Sequence, residues 1–204
     1  MIIVVGGSLG GCKALGEILR RLPATFATPV AVVLHRHRES RDLLAPALQE
    51  GCALAVCEAE DQMPLEAGRV YVCPADYHLL LDNGRLALST DDLVNFARPA
   101  VDVLFESAAE WEGPAVIAVT LTGSGSDGAA GAKRVIAAGG TVLVQDPSTA
   151  EGPWMPAETI AATGTKHVLR LDQIADRLIE LDRDLAATTA KAAIARDGKS
   201  SNQE

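Results

Sequence analysis

Twice in this chain an apolar, β-branched run ends in a glycine-rich turn that opens a helical pattern, and no other feature constrains the fold as strongly. Ile2–Val5 leads through Gly6-Gly7-Ser8-Leu9-Gly10 into Cys12–Leu22, and Val30–Leu34 is the next apolar run. Val116–Leu121 leads through Gly123–Gly128 into Ala129–Ala138, with Thr141–Gln145 after it. Strand, helix and strand in that order make βαβ units, whose crossover connections require parallel pairing. The expected fold is therefore α/β: a doubly wound, mostly parallel sheet with helices on both faces. Arg69–Cys73, Tyr77–Leu81 and Arg85–Ser89 also read as extended, and Asp82-Asn83-Gly84 supplies residues that tolerate positive φ in a tight reversal. An antiparallel hairpin is expected there, at one edge of the sheet.

The 204 residues, 48% of them hydrophobic, suit one packed domain with a tail. Ile174, Leu178, Leu181 and Leu185 fall at helical spacing and give a last amphipathic helix. From Ala186 the chain turns Ala/Thr/Lys-rich and ends in small and polar residues, so the domain is expected to span 1–185 and a mobile tail 186–204. The 27 acidic against 18 basic residues leave a net charge of −9, which argues against a general electrostatic grip on nucleic acid or anionic lipid. No apolar run reaches the roughly 18 residues of a spanning helix, and Met1 runs into Ile2–Val5 without a basic leader segment. A cytoplasmic protein without membrane insertion is expected. Cys12, Cys52, Cys57 and Cys73 contain no C-x-x-C pair and lie in apolar stretches, so buried, reduced thiols are expected. No His/Cys/Asp/Glu cluster has ligand spacing, and neither a metal nor a cofactor is called for.

Three residues at strand ends carry the chemistry. Ser8 sits in G-x-S-x-G between strand and helix, where flanking glycines permit a sharp turn that exposes the hydroxyl. N–H groups of the following helix point to the same spot and suit an oxyanion. The same turn also reads as a plain helix cap or a phosphate site; a dinucleotide fingerprint fits less well, since Ser8 replaces its middle glycine. His35 ends the next strand on the edge where the Ser8 turn emerges, which suits a base; His37, two residues on, is its competitor. Asp127 follows the Val116–Leu121 strand and reads either as the acid that orients the histidine or as an N-cap of the helix after it. The order Ser8, His35, Asp127 is not the Ser, acid, His order of α/β-hydrolases.

Ile3–Gly11, Val33–His35, Glu58–Asp61, Gly68–Pro74 with His78, Arg98–Phe105, Leu121–Gly131 and Met155-Pro156 together resemble the catalytic domain of the chemotaxis protein-glutamate methylesterase family, CheB. The match is collinear over nearly the whole packed domain. The resemblance implies a serine hydrolase with Ser8 as nucleophile, His35 as base and Asp127 as orienting acid. It implies as substrate the methyl-esterified glutamates on the cytoplasmic helices of chemoreceptors, released as glutamate and methanol, with deamidation of receptor glutamines as a second activity. A separate receiver or kinase protein is a further partner on the same ground. Family members commonly carry an N-terminal receiver domain, whereas this chain starts on the first catalytic-domain strand. They also commonly have Thr and Met where this chain has Leu9 and Ser124. Those two departures motivate a rival reading, a non-catalytic chemosensory interaction domain that keeps the hydrolase fold. Finally, Arg36, Arg38 and Arg41 follow the proposed base, and with Arg98 they suggest a basic rim that steers acidic receptor helices to Ser8.

Overall fold

The computed structural model describes residues 1–39 and 43–200, with side chains to residue 188. In chain order the elements are β1 (Ile2–Gly7), α1 (Gly11–Leu19), β2 (Val30–Leu34), α2 (Leu44–Gln49), β3 (Ala55–Glu58), β4 (Arg69–Val72), β5 (His78–Asp82) and β6 (Arg85–Ser89). They continue as α3 (Val101–Glu112), β7 (Val116–Thr120), α4 (Ala129–Ala137), β8 (Thr141–Gln145), α5 (Trp154–Thr163), β9 (Val168–Leu169) and α6 (Leu171–Ser200).

Seven strands form one sheet in the order β3-β4-β2-β1-β7-β8-β9, and every pairing in it is parallel. Period-two alternation divides each central strand between two cores, which is why the runs are continuously apolar. Ile2 and Val4 of β1 face a core shared with α3 and α4, through Leu104, Phe105 and Val135. Ile3 and Val5 face the other, with Leu15 and Ile18 of α1 and Ile174 and Leu178 of α6. The sheet is thus doubly wound, as expected. Its strand order reverses at β1, which has β2 on one side and β7 on the other, so the crevice above the carboxyl ends of β1 and β7 is where such a sheet binds ligands.

The hairpin exists but stands apart. β5 and β6 pair antiparallel as a separate two-stranded sheet that packs on α3, while Arg69–Val72 is β4, an internal strand of the parallel sheet. Asn83 (φ 47°) and Gly84 (φ 79°) make the two-residue turn that matches strand twist. The cysteines also depart from expectation: all four are free, but only Cys73 is buried, Cys52 and Cys57 are half-buried, and Cys12 is exposed on α1. No helix among the described residues is long and apolar enough to cross a membrane.

α6 leaves the core near Asp182, and Arg183 to Thr188 are exposed. Most of the expected tail, 186–204, lies outside the described side chains. The last anchor is polar: Asp182, 8% exposed, accepts from Thr28 N (2.8 Å) and Thr28 Oγ1 (2.7 Å) through Oδ1, and from Ala27 N (3.2 Å). Removing the carboxylate strands these donors under α6, so Asp182→Ala is expected to lower the unfolding free energy by about 1–3 kcal/mol. Asp184→Ala, two residues along on the exposed face, should stay within about 0.5 kcal/mol of the parent in the same urea titration.

Candidate active site

Neighbouring strand ends bring the first two candidates together. The β1–β2 ladder continues one step past the strands, with His35 N donating to Gly7 O at 3.0 Å. On the other flank Leu121 N donates to Gly6 O (2.8 Å) and Ser8 N to Thr122 O (3.0 Å). Ser8 therefore emerges between the end of β2, which carries His35, and the end of β7, which leads into the Asp127 loop. That loop approaches the serine turn closely: a Cβ on Gly123 would lie 2.8 Å from Ser8 Cβ and 2.1 Å from Met155 Sδ, so only glycine fits. Backbone bonds from Gly123 N to Gly152 O (2.8 Å) and from Met155 N to Gly123 O (3.1 Å) hold it there.

His35 Nε2 lies 2.6 Å from Asp127 Oδ2. Asp127 is 3% exposed and accepts three more hydrogen bonds: Val101 N to Oδ2 (2.7 Å), Asp102 N to Oδ1 (3.0 Å) and Asn95 Nδ2 to Oδ1 (2.9 Å). Val101 and Asp102 are the first residues of α3, whose own N-cap residue, Ala100, has no capping side chain. Asp127 thus does cap a helix, but a different one from the helix it precedes. Asp102 returns the arrangement, its Oδ1 accepting from Gly131 N (2.7 Å) in the first turn of α4. Each carboxylate sits at the N-terminus of the other's helix, where unpaired N–H groups and the helix dipole favour an anion. Gly131 allows the approach, since a Cβ there would meet Phe105 Cβ at 2.6 Å.

The two carboxyls respond differently to this setting. Burial pushes Asp127 up, but the hydrogen bonds from His35, Val101, Asn95 and Asp102 together outweigh it and hold the acid below its ordinary value. Burial dominates at Asp102, and the Asp127 charge adds to it, so that carboxyl is raised despite the bonds from Gly131, Asn95 and Gly128. An ionised carboxylate only accepts, so the ring proton belongs on Nε2 and leaves Nδ1 of His35 with its lone pair. Ser8 is half-buried, and its Oγ makes no hydrogen bond among the described residues. His37 is exposed, and its Nδ1 accepts from Glu39 N (3.2 Å), away from Asp127.

An open cleft of about 990 Å³ is lined by His35, Arg38, Asp76, Phe96, Ser124 and Asp127, among others, but not by Ser8 itself. Its rim is apolar as well as charged, with Leu93 59% and Phe96 99% exposed. The basic rim is smaller than the sequence suggests. Arg36 is bound to Glu58 (2.7 Å), and Arg98 to Asp76 (2.7 Å) and to the carbonyls of Thr90 and Asp91. Arg41 lies outside the described residues, and Arg38 is exposed. Sequence reasoning missed Asn95 and Asp102; Asp102 stood inside a quoted motif, but a cap supplied across two elements has no local signal. No group of three or more His, Cys, Asp or Glu side chains among the described residues is placed to hold a metal ion.

The sequence model of the CheB methylesterase family matches residues 3–178. A relative from Leptospira interrogans, provisionally named for protein-glutamate methylesterase and protein-glutamine glutaminase activities, is 42% identical over 89% of this chain and 95% of its own length. A Nocardioides protein-glutamate methylesterase/protein-glutamine glutaminase is 39% identical over 87% of this chain, which spans 50% of that longer protein. The crystal structure of the CheB methylesterase catalytic domain of Thermotoga maritima superposes with a TM-score of 0.84 at 39% identity, covering 88% of this chain and 97% of that one.

Because Asp127 bonds His35 and caps α3, its loss is expected to cost stability. Asp127→Ala should lower the unfolding free energy by about 2–3 kcal/mol at neutral pH. The depressed carboxyl contributes stability above its unfolded value, about 3.9, and loses it as pH falls through the lower folded value, so the gap between parent and variant should close below about pH 4. Asp102, with its raised value, acts in the opposite sense, and because the Asp127 charge is one cause of that rise, Asp127→Ala relieves part of it.

Proposed function

The chain belongs to the CheB methylesterase family, and from that premise we propose that it hydrolyses glutamate methyl esters, and deamidates glutamines, on chemoreceptor helices by a Ser8, His35 and Asp127 triad. The observation that carries the assignment is the 2.6 Å bond between His35 and a four-times hydrogen-bonded Asp127, one strand away from the Ser8 turn. Ser8 Oγ attacks the ester carbonyl while Nδ1 of His35 takes its proton. Asp127 stabilises the imidazolium that forms at Nε2. In this reading backbone N–H groups of the turn and helix that follow Ser8 stabilise the developing oxyanion. His35 then protonates the departing methoxide, methanol leaves, and water hydrolyses the acyl-enzyme to free glutamate and Ser8. Ammonia leaves in place of methanol from glutamine.

The open cleft with its exposed Leu93 and Phe96 suits the side of a protein helix better than a small enclosed ester. Receptor helices of this kind lie in the cytoplasm, and the reaction is placed there. A receiver or kinase protein is a further partner on family resemblance alone. The packed catalytic domain, in this reading, ends at residue 185.

A Ser8→Ala protein should release no methanol from methylated receptor and should lose labelling by a fluorophosphonate. Cys12→Ser, which removes the exposed thiol beside the turn, should keep both. Labelling that persists in Ser8→Ala would remove the nucleophile assignment; a parent protein that neither labels nor releases methanol would favour the interaction-domain reading.

A further inference from the structure

Asn95 is the only side chain among the described residues that bridges the two carboxylates at the paired helix N-termini. Its Nδ2 donates to Asp127 Oδ1 at 2.9 Å and to Asp102 Oδ2 at 2.7 Å, one proton to each. The turn that presents it is fixed. Val94 and Ala97 exchange backbone hydrogen bonds at 3.1 and 2.9 Å, and Asn95 itself takes φ 52°, a left-handed conformation that Asn tolerates. On one side of the turn Arg98 Nη1 holds the carbonyls of Thr90 (2.6 Å) and Asp91 (2.9 Å), and the buried His78 bonds Asp92 O at 3.0 Å through Nε2. His78 Nδ1 accepts from Ala100 N (3.2 Å) just ahead of α3, so one imidazole ties the Asn95 loop to the helix end that Asp127 caps.

We propose that Asn95 is a positioning residue for the hydrolysis, bridging Asp127 to Asp102 so that Asp127 Oδ2 stays turned to Nε2 of His35. The inference rests on the triad reading above and extends it. Without the amide, Asp127 Oδ1 keeps only the Asp102 N–H, and two buried carboxylates face each other across the helix ends with nothing between them. Only the Val101 and Asp102 N–H groups then hold the Asp127 carboxyl beside the ring, and rotation that moves Oδ2 off the ring is less restrained. The choice of an amide also has a reason. A lysine or arginine there would orient the acid but cancel the charge that stabilises the imidazolium, whereas a neutral donor orients it and leaves the charge in place.

Asn95→Gly tests this with little backbone confound, since glycine accepts the positive φ and removes only the amide. The groups facing the His35–Asp127 pair are Asp102 from α3, Arg36, His37 and Arg38 following His35, and Asp92 and the Arg98–Asp76 pair at the cleft. With those unchanged, turning Oδ2 off the ring takes away the carboxylate that stabilises the imidazolium. On a small neutral ester kcat should fall about 10- to 100-fold with KM within about twofold, and the acid limb of the kcat/KM profile should move to lower pH. Asn95→Asp keeps the size but replaces the donor with a third carboxylate, and should lose more activity while its added negative charge moves the limb to higher pH. It serves as the second variant if the glycine protein folds poorly by thermal melting. Folded variants with the parent kcat and the parent acid limb would overturn the proposal. Ser8→Ala assayed alongside separates the two readings: if it retains activity the triad has failed, and if it is inactive while both Asn95 variants behave as the parent, only the role of Asn95 has failed.

Discussion

The structure turns on a reciprocal exchange of caps between α3 and α4. Asp127, just ahead of α4, satisfies the Val101 and Asp102 N–H groups at the start of α3, and Asp102 of α3 satisfies Gly131 N at the start of α4. Neither helix carries a capping side chain at its own N-cap position, so each depends on the other being docked. The two helices lie on the same face of the sheet and pack into one core through Phe105 and Ala132, with Gly131 letting the backbones meet. Burial of those apolar groups supplies the attraction, and the caps fix the register at which it is satisfied.

That register is also what fits Asp127 to the proposed role of orienting acid. Its four hydrogen bonds keep it ionised although it is 3% exposed, and two of them come from the first turn of α3. The atoms that stabilise the helix pair are thus the atoms that aim the carboxylate. A helix N-terminus does this without a counter-cation: it favours the anion by partial charges spread over N–H groups, and the field that Asp127 exerts on His35 survives.

What the sequence made legible follows the range of each interaction. The parallel strands, the two glycine turns and the strand-end positions of Ser8, His35 and Asp127 are local matters of periodicity and steric permission. The cap of α3 comes from a carboxylate 26 positions downstream, and Ala100-Val101 shows nothing of it. Arg36 looked like a rim cation because Glu58, its partner, lies 22 residues away on a strand that becomes a neighbour only through β4. Cys12 reads as apolar but falls on the outer phase of α1, beside Lys13, where the buried positions are Ala14, Leu15 and Ile18. The hairpin was recognised from its turn, but its separation from the main sheet depends on α3 offering it a surface, and no turn signal encodes that.

The ring orientation of His35 follows from the same topology. In a parallel sheet adjacent strand ends lie about 4.8 Å apart, so a histidine at the end of β2 has only a short reach to the turn that ends β1. The acid arrives from the loop after β7, on the far side of β1, and has to be met further out. Imidazole offers one nitrogen near its own backbone and one at its tip. Asp127 binds the tip, Nε2, which leaves Nδ1 on the backbone side, where the proposed triad has Ser8. The usual serine-protease assignment has the acid at Nδ1 and the serine at Nε2. The reversal in the proposed triad requires no special chemistry, because either nitrogen is a competent base once the other is held as a donor to a carboxylate. It requires only that a nucleophile be the nearer neighbour and an acid the farther one, and in the strand order β2-β1-β7 the Ser8 turn is nearer to His35 than the strand that leads to Asp127.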